Sequence, residues 1–107
     1  MINSALFVSD SIIERKVTLS DGSEHTLYFK ELPAIEFRRF YLAERSGDDD
    51  KEAEAMAKLI SASLCDADGK PAVTFKQALK LKTSAMQAIS TEILEINGFG
   101  GGSEKNL

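Results

Sequence analysis

Residues 30–45, KELPAIEFRRFYLAER, limit the possible folds of this chain more than any other stretch. They hold two of the six phenylalanines, one of the two tyrosines and one of the two prolines. A residue before proline is pushed out of the helical region, so Leu32-Pro33 marks a boundary. Pro33 suits a helix start, where its missing N–H costs nothing, and Glu36 favours the positive end of the helix dipole. Phe37, Phe40, Tyr41 and Glu44 then recur at i, i+3, i+4 and i+7, the period of an amphipathic helix. Arg38, Arg39 and Arg45 fall off that stripe. The stripe reads first as core, with this helix as the slab on which the rest packs. One edge left open would make a groove for a partner helix.

The hairpin comes before it. Val17 and Leu19 alternate with Lys16 and Thr18, and His25, Leu27 and Phe29 alternate with Thr26 and Tyr28. Between them Ser20-Asp21-Gly22-Ser23 is a turn signal. Residues 14–30 are therefore predicted to form a β-hairpin with Val17, Leu19, Leu27 and Phe29 on its buried face. A lone hairpin is marginal in water, so this one must lie on helices or on another strand. Residues 1–13 carry two short apolar runs, and are open to three readings: a short strand or a short helix on the core, or a loosely held arm that orders against a partner.

Helical signals fill the remainder. Gly47 stops the aromatic helix, and Asp50 is predicted to cap a helix over 51–64 lined by Ala53, Met56, Ala57, Ile60 and Leu64. Residues 65–71 form a turn. Thr74 should cap a short helix that turns Phe75, Ala78 and Leu79 inward. Thr83 or Ser84 should cap the last helix, carrying Met86, Ile89 and Ile93, which Asn97-Gly98 ends. The predicted fold is α+β: an N-terminal hairpin packed on about four helices, as a single domain over 1–98. Residues 99–107 include Gly100-Gly101-Gly102-Ser103 and read as a flexible tail.

Composition narrows the function. The 107 residues suffice for one core without staples. A net charge of −4 argues against nucleic acid as the main partner. No stretch is apolar for long enough to span a membrane, and the N-terminus lacks the basic region of a secretory signal. Cys65 is the single cysteine, which fits a reducing cytoplasm. Asp66-x-Asp68-Gly69 opens like a calcium loop, but the twelfth position is Gln77 where glutamate is needed. His25, the only histidine, reads as a strand residue in a half-buried slot. Asp48-Asp49-Asp50 and the Lys70, Lys76, Lys80, Lys82 edge read as solvated surfaces. No catalytic set, cofactor or metal site is expected.

Taken in order, several segments match a known pattern. They are Asp21-Gly22-Ser23-Glu24, Leu27-Tyr28-Phe29, Glu31-Leu32-Pro33-Ala34, Phe37-Arg38-Arg39-Phe40, residues 59–66, Asp68-Gly69-Lys70-Pro71 and Glu95-Ile96-Asn97-Gly98. The chain over 14–98 resembles the tail assembly chaperones of long, non-contractile-tailed bacteriophages. The resemblance implies a non-enzymatic protein of the infected host's cytoplasm, absent from the finished virion. It implies binding to the tape measure protein, a long and largely helical chain, and help in polymerising the tail tube around it. It also implies a longer product, made by −1 ribosomal frameshifting, whose extension recruits the tail tube protein. Glu104-Lys105-Asn106 can be encoded GAA-AAA-AAC, which contains a slippery A-run. On this reading the groove residues are Phe37, Phe40 and Tyr41, with Met56, Ile60 and Met86 beside them, and self-association along a long client is expected. The alternatives are a structural or adaptor protein kept in the tail, and a small enzyme or nucleic-acid binder resting on His25, Cys65 and the lysine edge.

Overall fold

Strand β1 (Ile12–Thr18) and strand β2 (Glu24–Lys30) pair antiparallel, with Ile13 opposite Phe29 and Val17 opposite His25. The computed structural model describes residues 2–99. The turn closes where the Leu19 N–H donates to the Ser23 carbonyl (2.9 Å). Because cross-strand partners share a face, Ile13, Arg15 and Val17 stand beside Phe29, Leu27 and His25. That face meets the helices: Val17 and Phe29 are buried, and Leu27 and Leu19 half-buried. Of the readings open for residues 1–13, the strand holds for Ile12 and Ile13, which belong to β1 because Lys30 and Phe29 of β2 pair with them. Ahead of them, residues 4–6 form one 3-10 turn, and Leu6, Phe7 and Val8 are exposed.

Helix α1 (Ala34–Glu44) follows, with Pro33 at its N-cap, and then helix α2 (Asp49–Ser63). The α2 N-cap is Asp48, not Asp50. Its carboxylate accepts from the Asp50 and Lys51 N–H groups (3.0 and 3.2 Å). Glu52 reaches back to the Gly47 N–H (3.0 Å), fixing the earlier start. Strand β3 (Leu64–Cys65) continues directly from α2 and adds to β2 opposite Tyr28 and Phe29, giving the order β1-β2-β3. Helix α3 (Phe75–Ala78) carries a capping box between Thr74 and Gln77, as the sequence predicts for Thr74. Helix α4 (Thr83–Ile96) completes the fold. The architecture is the α+β one expected: a three-stranded antiparallel sheet against four helices.

Three further local expectations fail. Leu79 is 44% exposed, because α3 is one turn long and Leu81 takes the inward place. That inward Leu81 leaves Lys82 extended as the α4 N-cap, so neither Thr83 nor Ser84 caps the helix. Ala53 is exposed, while Ala55, Ala57, Leu59 and Ile60 are buried.

The central slab is α2, not α1. It touches α1, α3, α4 and β2, and it buries five residues against two in α1. Small side chains at Ala55 and Ala57 let neighbours close on it from several sides. Polar ties fix the assembly around it. Buried Ser63 donates to the Lys30 carbonyl (2.8 Å). Arg15 on β1 reaches Glu92 on α4 (3.2 Å). Asn97 at the end of α4 accepts from the Leu32 N–H (2.9 Å) and donates to the Ile93 carbonyl (2.7 Å).

Gly98 adopts φ +86°, a conformation cheap only for glycine. Its N–H donates to Glu95 and the Phe99 N–H to Leu94 (3.1 and 2.8 Å), the paired bonds of a Schellman stop. Truncating Asn97 strands the part-buried Leu32 donor. Asn97→Ala is therefore expected to lose about 1–2 kcal/mol and roughly 5–10 °C in Tm, read by thermal and urea denaturation. An unchanged midpoint would show that this tie is dispensable.

Candidate partner-binding surface

Helix α1 has two faces of different chemistry. Its inner face carries Phe37 and Phe40, both buried. Tyr41 lies at the border, half-buried, with its ring edge-on to Phe40 at 5.3 Å. Phe99, placed in the tail from sequence, sets its ring 4.7 Å from Phe37 and 6.2 Å from Tyr41. The Schellman stop at Gly98 aims it there. The six groove residues all join one cluster, but at different depths. Phe37, Phe40 and Ile60 are in the core; Tyr41, Met56 and Met86 pack against it and keep part of their surface open.

The outer face of α1 was not singled out from sequence. Ile35 and Leu42 are 52% and 58% exposed. With Arg38 and Arg45 they fall at i, i+3, i+7 and i+10, one stripe of a helix. Arg38, Tyr41, Leu42 and Arg45 line a shallow recess of about 320 Å³. The Arg45 guanidinium sits over the Tyr41 ring at 5.9 Å from its centroid. Arg39 edges the opposite side, held by Glu36 at 3.4 Å. Among the described residues Arg38 and Arg45 make no ion pair. The signal was present in the spacing of Ile35 and Leu42, hidden by the arginines between them.

A second apolar hollow of about 210 Å³ opens between the sheet and the start of α4. Val17, Leu19, Leu27, Leu81 and Ile89 line it, with His25 at its margin.

The residues with catalytic potential have structural roles. His25 is exposed, not half-buried, because it lies near the turn end of β2 at the open margin of the hollow beside α4. The Ser23 hydroxyl lies 3.0 Å from its Nε2 but is bound to Asp21 at 2.6 Å. In that order the carboxylate holds the serine and does not orient the imidazole, the reverse of a nucleophilic triad. Burial pushes the Cys65 thiol up, away from the reactive thiolate. Asp66 turns its carboxylate onto the Asp68 and Lys70 N–H groups (2.8 and 3.0 Å), so it serves the turn. Among the described residues no group of three potential ligands could hold a metal, and no helix is long and apolar enough to cross a membrane. Glu104, Lys105 and Asn106 lie outside the described residues.

Exposed apolar side chains gathered on a helix face, with cations at the rim, characterise a protein-binding module. Comparison makes that class specific. The chain belongs to the phage tail assembly chaperone (TAC) family, whose model matches residues 1–97. It is thus a non-enzymatic chaperone of tail assembly. No curated protein matches the sequence. Among solved structures, the bacteriophage HK97 tail assembly chaperone shares the fold. Its TM-score is 0.57 at 14% identity, over 88% of this chain and 89% of that one.

The hairpin turn yields a titration test. Hydrogen bonds from the Ser23 hydroxyl and N–H, with Lys82 nearby, hold the Asp21 carboxyl down from 3.8 to about 2. A carboxyl with a lower pKa folded than unfolded supports the turn fully above its ordinary value. That support is lost as pH falls toward about 2. An NMR titration should place Asp21 at the bottom of the carboxylate series, and Ser23→Ala should move it up. A midpoint near 3.8 in the unmodified chain would remove this account of the turn.

Proposed function

We propose that this chaperone binds an apolar helical segment of the tape measure protein during tail tube assembly. The observation that carries the reading is the family match across residues 1–97. A long helical client exposes apolar stripes until the tube encloses it, and a small domain with open apolar side chains can cover them. Of the groove residues, Tyr41, Met56 and Met86 supply the accessible surface, and Phe37, Phe40 and Ile60 support it from below. Repeated binding along one client would bring copies side by side, so self-association belongs to the same reading.

The protein acts in the host cytoplasm and leaves before the virion is complete. A longer −1 frameshift product, slipping at the codons for Glu104, Lys105 and Asn106, carries an extension that recruits the tail tube protein. Co-expression tests the core of this reading. A tape measure fragment that is insoluble alone should become soluble with the chain and co-purify with it. A fragment that stays insoluble with the chain present in excess contradicts it. Finding the chain in purified virions would favour the adaptor reading instead.

A further inference from the structure

We propose that the client surface continues from Tyr41 onto the outer face of α1, and that the occupant of this face is an acidic amphipathic helix of the client. The inference rests on the function proposed above and adds the face and the charge of the partner. Ile35 and Leu42 are two turns apart, about 10 Å along the axis. That spacing matches the apolar i, i+7 repeat of a second helix laid alongside. Arg38 and Arg45 rim one side of this apolar stripe and Arg39 the other, so three of the chain's four arginines surround it. The glutamates of α1, Glu36 and Glu44, fall outside the arc by helical spacing.

Charge selects the occupant. The chain as a whole carries −4, which alone would repel an acidic partner. At physiological salt, however, charges are screened beyond about 8 Å. The local guanidinium groups therefore decide, and Arg38 and Arg45 have no carboxylate partner among the described residues. Guanidinium suits this place: it is weakly hydrated, packs beside apolar and aromatic groups and binds carboxylate bidentately. A client helix with leucines on one stripe and glutamates along both margins satisfies both features together, in the manner of core and flanking positions in a coiled coil.

The test is an anisotropy titration of the full chain with two labelled helical peptides. They carry the same leucine stripe, flanked by glutamate in one and by lysine in the other. The glutamate peptide should bind. Arg38→Glu/Arg45→Glu should weaken it about tenfold and admit the lysine peptide. Both arginines are exposed, so the variant should keep its circular dichroism. If it does not, Arg38→Gln/Arg45→Gln and the salt dependence of the unmodified chain give the same comparison. Equal binding of both peptides, or an unaffected variant, overturns the proposal. So does uptake by phosphatidylglycerol vesicles without peptide binding, which would make this a membrane face. Loss of self-association in the variant, with peptide binding intact, would make it a contact between copies and also overturns it. Full tape measure solubilisation by the variant would overturn the face alone. Failure of the unmodified chain to solubilise the fragment would sink the functional reading, while the peptides would still report on the face.

Discussion

The structure depends on closing α2 between the sheet and the other helices. Phe29 on the central strand and Ile60 on α2 are both fully buried. No loop separates α2 from β3, so the helix end and the sheet edge are fixed together. Ser63 secures that junction by donating to the carbonyl that ends β2. Each of these large apolar side chains contributes about 1.5–3 kcal/mol on burial. The exposed ion pairs at the rim, such as Lys82 with Asp21, add little, because water and salt screen them. Packing on α2 therefore sets the fold, and surface charge contributes little to it.

This division leaves one side of α1 available to a partner. It packs chiefly on α2 and gives its inner face to the core. The outer face is under no obligation to the fold, yet it carries Ile35 and Leu42 in the open. Selection for stability alone has no use for them there. The proposed function gives such a surface a use, since a helical client would have to be covered and later released. Phe99 against Phe37 and Tyr41 completes the inner side of the same helix, so α1 is braced while its outer side stays open.

Much of this was legible from residue order. The hairpin followed from strict alternation around a polar turn, and the start of α1 from Leu32-Pro33. The capping box at Thr74 and the stop at Gly98 are local signals, and both are present. The misreadings arose where tertiary contacts decide. Strand β3 is two residues long and exists because β2 offers an edge to Leu64 and Cys65. The central place of α2 was missed because alanines make close packing without conspicuous side chains. Asn97 reads as a helix terminator, and its bond to the Leu32 N–H spans 65 positions that no local pattern connects. On the opposite face of α1 the arginines mask two apolar residues, Ile35 and Leu42, so its spacing signal is weaker than that of the aromatic stripe.

On the proposed function, the open side of α1 and the partly exposed residues beside it shield a client helix. Hydroxyl-radical footprinting of the purified chain, alone and bound to a tape measure fragment, measures that contact at individual side chains. Leu42, Tyr41, Met56 and Met86 should lose reactivity on binding while Leu79, at the far end of α3, does not. A complex that forms with Leu42 and Tyr41 as reactive as in the free chain would contradict it.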